Sequence, residues 1–241
     1  MRPKLNLVKN YISLALAFSA SQTFAQDQFD GLNMSIGAGI YNADSNYYNS
    51  GATDISNNPI TTPWTKNDSS VLGDLSLGYS HGLKNNFNIA GNIFYSFGSV
   101  DQNYHNGLAL DPSANALVDT KFKLKDIWGI SFEPGYYFTQ NILGYLKLGY
   151  AYTSVKANAS GYLESVNYDF GNPGGFLYGA GLKYKVTNDI FLGADLYRVD
   201  FGAVNILNSP HFQNPDPENL RMNLDVNYLG LKIGYTFNQL L

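Results

Sequence analysis

The sequence contains no cysteine. That excludes disulfides, thiolate metal sites, a cysteine nucleophile and a lipid anchor on an N-terminal cysteine. Charged side chains are scarce, at 14% of residues, against about a quarter of an average soluble chain. A helical period is missing throughout, and no stretch after residue 25 is long and apolar enough for a spanning helix. Histidine occurs three times, at 81, 105 and 211. None of the three falls in a metal-ligand spacing or within a segment of alternating residues, so a lipase has no Ser–His pair to build on. The sequence therefore assigns no catalytic residue, no metal and no cofactor, and the protein is expected not to be an enzyme.

What the chain does contain is aromatic and small. It has 19 Tyr, 15 Phe and 24 Gly. Residues 1–25 read as a secretory signal: Arg2, Lys4 and Lys9 precede the apolar run at 11–20, and "TFA" at 23–25 offers small residues for cleavage. The expected organisation is a signal peptide, 1–25, and a single domain, 26–241. The mature part keeps 12 basic and 19 acidic residues, a balance that argues against a nucleic-acid partner.

Within the mature part, eight segments alternate with a period of two: 32–42, 69–80, 87–99, 121–138, 143–156, 175–186, 190–199 and 222–237. That period marks strands with two unlike faces. Connections alternate too, with long ones at 43–68, 100–120, 157–174 and 200–221 and short ones at 81–86, 139–141 and 187–189. An up-and-down meander then carries every long loop at one end. The polar faces hold mostly Gly, Ser, Ala and Asn, apart from Lys121, Lys123 and Lys125. The apolar faces carry aromatics near both ends, as two membrane interfaces require. Examples are Tyr79, Phe87, Tyr136 and Tyr235 at the short-turn end, and Tyr95, Trp128, Tyr152 and Tyr178 at the other. The expected fold is an all-β, eight-stranded antiparallel up-and-down transmembrane β-barrel. Leu231, Ile233, Leu146, Leu148 and Ile130 should face acyl chains.

The stretch "NYLGLKIGYTF" at 227–237 closes on alternating Leu231, Ile233, Tyr235 and Phe237. It resembles the C-terminal assembly signal of outer-membrane proteins, although "NQLL" follows it. With the recurring "GY" pieces at 149–150 and 234–235, residues 32–237 resemble the small eight-stranded OmpA-like, OmpX-like and opacity-type barrels. The resemblance implies the outer membrane of a Gram-negative bacterium. Implied partners are outer-membrane lipid and lipopolysaccharide, the barrel assembly machinery, and host or neighbouring surface molecules.

Counting five residues inward from the short-turn end of each strand collects Asp74, Asn92, Glu133, Lys147, Lys183, Asp195 and Lys232. These should form an interior belt of mutually neutralising groups. A three-residue turn pairing Phe138 with Ile142 would set Glu133 opposite Lys147. In the long loops, Tyr47, Tyr48, Trp64, His211 and Phe212 are candidates for recognition. The leading expectation is a structural or adhesin-like barrel that works through its outer loops. The alternatives are a narrow porin-like channel for small or apolar solutes and a lipid-modifying enzyme.

Overall fold

The computed structural model describes residues 29–49, 64–104, 119–160, 165–205 and 220–237. The expected signal segment, 1–25, and His105, His211 and Phe212 lie outside them. The strands are β1 (Gly31–Asn49), β2 (Trp64–Gly82), β3 (Phe87–Tyr104), β4 (Asp119–Thr139), β5 (Ile142–Ser160), β6 (Ser165–Asp169), β7 (Gly174–Lys185), β8 (Ile190–Asn205) and β9 (Leu220–Phe237). Each barrel strand pairs antiparallel with its neighbours, and β1 pairs with β9 to close the ring. The result is a closed eight-stranded all-β barrel. The short β6 hairpins onto the top of β5, where β7 has already ended.

Most strands outrun the membrane. A spanning strand needs about 9–11 residues, whereas β1, β2 and β5 have 19 each and β4 has 21. The expected loops at 43–68 and 157–174 are thus partly sheet. Tyr47, Tyr48 and Trp64 sit on strands, with Tyr47 paired to both Trp64 and Met222. The short-turn end differs too, at 81 and at 139. His81, expected in a turn, is on β2 opposite Ile89. The ladder extends that far because Asp30 accepts the Gly82 N–H and Leu83 donates to the Phe87 carbonyl. Asn85 and Asn86, both at positive φ, then make the turn itself.

Two tiers have opposite polarity. In the lower tier the exterior is apolar: Ile36, Leu75, Ile93, Ile130, Leu148 and Leu231 are all exposed. Such a continuous apolar belt needs a membrane to cover it. In the upper tier the exterior is polar, with Asn42, Asp44, Asn67, Asn223 and Asp225 facing out. There the interior is apolar, and Val100, Phe122, Leu124, Val155, Leu224 and Val226 pack into one buried cluster. The upper tier is built like a water-soluble barrel, with its core inside.

The strands make this reversal in two ways. On β9 the sequence changes phase: Met222, Leu224, Val226 and Tyr228 point in, and the next residue, Leu229, starts the outward series. The pairs Ile40–Tyr41 on β1 and Leu196–Tyr197 on β8 do the same. On β4 a bulge does it. Asp126, at φ 45°, breaks the register against β5, so Phe122 and Leu124 point in while Trp128 and Ile130 point out. The same bulge turns Lys121, Lys123 and Lys125 outward, where unbroken alternation would have placed them inside.

Candidate functional site

The lumen is filled from bottom to top. At the short-turn end Phe29, Tyr137, Leu143 and Phe191 form an apolar stopper. Phe29 stacks on Tyr137 at 6.1 Å between ring centroids, and the Lys185 ammonium stands 4.8 Å above the Phe29 ring.

Above the stopper lies a charged tier. Lys147 Nζ is 3.2 Å from Glu133 Oε1 and 3.5 Å from Asp195 Oδ2. Lys183 donates to Glu133 Oε2 at 3.3 Å, and Lys232 donates to Asp195 Oδ2 at 2.7 Å. Tyr145 joins the two sides, donating to Asp195 and accepting from Lys232 at 3.0 Å. The ammonium groups also rest over rings: Lys147 is 5.4 Å from Phe94 and from Tyr197, and Lys183 is 4.9 Å from Tyr145. Burying charges is costly unless each is paired and hydrogen-bonded. Here every ammonium has a carboxylate, and each carboxylate receives at least two donors.

The register behind this tier differs from the simple count. Thr139, not Phe138, pairs with Ile142, and a bulge between Tyr137 and Thr139 follows. Beyond the bulge the ladder returns to the expected offset, with Gly135 on Tyr145 and Phe132 on Leu148. Glu133 and Lys147 lie between those pairs.

Five of the seven belt residues share this network, and two stand apart. Asp74 lies in a tier of hydroxyls: Tyr41 donates to it at 2.8 Å, Tyr228 at 2.5 Å, and Ser96 also donates. Tyr41 and Tyr197 share a 2.7 Å hydrogen bond beside it. Asn92 is buried with its amide nitrogen unpartnered, and its side chain lies across Gly78. Small residues make these approaches possible. A Cβ on Gly39 or Gly230 would strike Tyr228, and one on Gly181 would strike Tyr145 and Asp195.

The inward tyrosines were not in the sequence count. Tyr145 is in phase with Lys147 on β5, so the period of two could have found it. Tyr41 and Tyr228 sit where the apolar phase changes, and a single-phase reading passes over them. Between the charged and hydroxyl tiers a cavity of about 20 Å³ remains, lined by Ser35, Asp74, Lys147, Tyr197 and Lys232 among others. It has room for roughly one water.

Of the other candidates, Leu231, Ile233 and Tyr235 face outward on β9, and Tyr235 packs against Phe237 at 4.8 Å. His81 is the one histidine among the described residues, and its Nδ1 lies 3.5 Å from the Asp30 carboxylate at the short-turn rim. Among the described residues no group of three or more His, Asp or Glu could hold a metal ion.

Residues 11–237 match the family described as outer membrane protein beta-barrel domain. No curated protein matches the sequence significantly. Similar solved structures include Ail, the attachment invasion locus protein of Yersinia pestis, at 17% identity and TM-score 0.41, covering 86% of this chain and 99% of that one. OprG from Pseudomonas aeruginosa aligns at 13% identity and TM-score 0.46, over 87% of this chain and 98% of its own. The Escherichia coli outer membrane protease OmpT aligns at 11% and TM-score 0.49, over 90% and 99%. The three names differ in what they describe, and no role passes to this chain by likeness. The chain belongs to the outer-membrane β-barrel family, and its place is the outer membrane of a Gram-negative bacterium.

Proposed function

We propose that this protein is a sealed barrel whose work is done outside the membrane, in a structural or adhesin-like role. The observation that carries this reading is the filled lumen. Among the described residues an apolar stopper, a paired charge tier, a hydroxyl tier and an apolar upper core follow one another, and the cavity between the charge and hydroxyl tiers admits about one water. A channel for solutes would need a path that these side chains occupy. The upper tier then makes sense as a pedestal. It carries β1 and β2 on past a membrane-spanning length to the ends on which Tyr47, Tyr48 and Trp64 lie, and we read these three, with His211 and Phe212 outside the described residues, as the recognition candidates.

We read Leu231, Ile233, Tyr235 and Phe237 as the segment presented to the barrel assembly machinery. The role is read as non-catalytic. Its test against an enzyme is mass spectrometry of lipid A from cells with and without the gene, with no change expected.

Conductance in planar bilayers tests the reading itself. A sealed barrel gives no steady steps, and wild-type open-channel steps would replace this reading with the porin-like one. Deleting 50–63, 105–118 and 206–219 together should leave heat-modifiable folding intact, since loop closure varies slowly with length. It should also abolish binding of cells to surfaces.

A further inference from the structure

At the short-turn end of the lumen, donors with nothing to bond surround an apolar stopper. The Lys185 ammonium, the Asn33 amide nitrogen and the Thr236 hydroxyl belong to residues no more than 4% exposed, and none has a hydrogen-bond partner among the described residues. Buried polar groups are nearly always satisfied, so three in one place call for an acceptor.

The strand ladder gathers them. Asn33 and Thr236 are paired neighbours on β1 and β9. Thr236 follows Gly234 on the inward face of β9, and the Phe191 ring lies across Gly234, where a Cβ would strike it. Phe191 is paired in turn with Lys185 on β7. Both meet the same ring: the Phe29 centroid is 6.0 Å from that of Phe191 and 4.8 Å from Lys185 Nζ. The donors thus border the seat of Phe29, and Lys185 stands directly on it.

Charge and shape narrow what fits. In the tier above, Glu133 and Asp195 serve Lys147, Lys183 and Lys232 and leave Lys185 aside. One spare cation calls for one negative charge. The seat itself is apolar, walled by Tyr137, Leu143 and Phe191, and it already holds a benzene ring, that of Phe29. An apolar seat with a few polar groups at its edge is the usual build of a small-molecule site.

Phe29 is also placed to give way. It precedes β1, to which Asp30 and Gly31 join it. Asp30 is tied to the rim through the Gly82 N–H, and Gly31 has a φ of 110°, a region that glycine enters freely. The ring can leave the mouth while the strand behind it stays paired.

We propose that the short-turn mouth is a binding site for a small aromatic monocarboxylate. Its ring takes the seat of Phe29, and its carboxylate accepts from Lys185, Asn33 and Thr236. The charged tier above stays closed, so the site is a blind vestibule and stands apart from the proposed surface role.

The test titrates para-fluorobenzoate onto the full mature protein in phosphatidylcholine nanodiscs and follows binding by fluorine NMR. Neutral para-fluorobenzyl alcohol is the matching probe without the charge. Wild type is compared with Phe29→Ala, Lys185→Gln, the double change Phe29→Ala/Lys185→Gln, and Lys84→Gln, which alters an exposed lysine of the same rim. Gel mobility without boiling checks folding. Lys185→Gln removes a charge that no carboxylate pairs, so it should fold and keeps the test open even where Phe29→Ala does not.

Phe29→Ala frees the seat and should bind para-fluorobenzoate at least about tenfold more tightly than wild type. Lys185→Gln should weaken binding at least about tenfold in either background, the worth of one hydrogen bond to a charged group. Lys84→Gln should bind as wild type does, and the alcohol should not distinguish Lys185→Gln from wild type. Equal binding of para-fluorobenzoate by wild type and Lys185→Gln would overturn the proposal. So would an affinity that Phe29→Ala leaves unchanged, or an alcohol bound as tightly as the carboxylate.

Discussion

The lower and upper tiers share a backbone and differ in solvent. Leu231 and Leu224 lie on the same strand, seven residues apart, and each is a leucine in a two-residue repeat. Leu231 is 70% exposed and Leu224 is 0%. In the lower tier leucines are placed where lipid covers them, and the lumen takes the charges. In the upper tier water covers the outside, and the lumen takes the leucines. The period of two establishes that a segment is a strand. Only its phase tells which medium the strand meets, and here the phase changes partway up.

The largest expected effect comes from breaking the charged tier. Glu133→Gln leaves Lys183 buried without its carboxylate and Lys147 with Asp195 alone, and loss of one partner of a buried pair costs about 3–5 kcal/mol. Urea unfolding in detergent or vesicles should show it. The double change Glu133→Gln/Lys147→Met should recover part of the loss, and an unaltered single variant would contradict the pairing.

Next are the two leucines themselves. Leu231→Arg places a cation against acyl chains and should cost about 2–4 kcal/mol if it lies near the midplane. Leu224→Ala empties part of a buried core and should cost about 2–5 kcal/mol. An arginine at Asn223, beside Leu224 but facing water, should stay within roughly 0.5 kcal/mol of wild type. Equal damage from arginine at 223 and 231 would mean that one medium covers both tiers.

The smallest effect is at the upper rim. The half-exposed Lys121–Asp101 pair should contribute no more than about 1 kcal/mol. Burial pushes the Asp101 carboxyl up, but the hydrogen bond and charge of Lys121, with Lys123 adding to them, hold it below the usual carboxylate value. Its folded pKa thus lies below its unfolded one. The contribution is complete above the ordinary carboxylate range and fades as pH falls through the folded value. Comparing Lys121→Gln with wild type across an acid titration should show a small difference that closes at low pH.

The sequence revealed the barrel because eight stretches alternate and the lower tier obeys a single phase within each. Counting from the short turns found Glu133, Lys147, Lys183, Asp195 and Lys232, since no phase change intervenes below them. The upper ends of β1 and β2 were read as loop for a physical reason. Their outward residues, such as Asp44, Asn46, Thr65 and Asn67, are the types that make turns, and the inward Ala43 is out of phase with the strand below. The Asp126 bulge was invisible in another way. Phe122, Leu124, Trp128 and Ile130 are all even-numbered, so the sequence looks continuous while the faces exchange. The hydroxyl tier around Asp74 was missed because Tyr41, Tyr197 and Tyr228 sit where the apolar phase changes and were not counted.

The reversal of polarity along β9 is the claim on which the rest stands. It can be tested with nitroxide labels placed singly at 223, 225, 227, 229, 231 and 233, scoring each for collision with oxygen, which concentrates in lipid, and with a water-soluble nickel chelate. Positions 229, 231 and 233 should be accessible to oxygen and 223, 225 and 227 to the chelate, with the exchange falling between 227 and 229. Oxygen accessibility that continued unbroken from 233 up to 223 would contradict it, because the strand would then face lipid along its whole length.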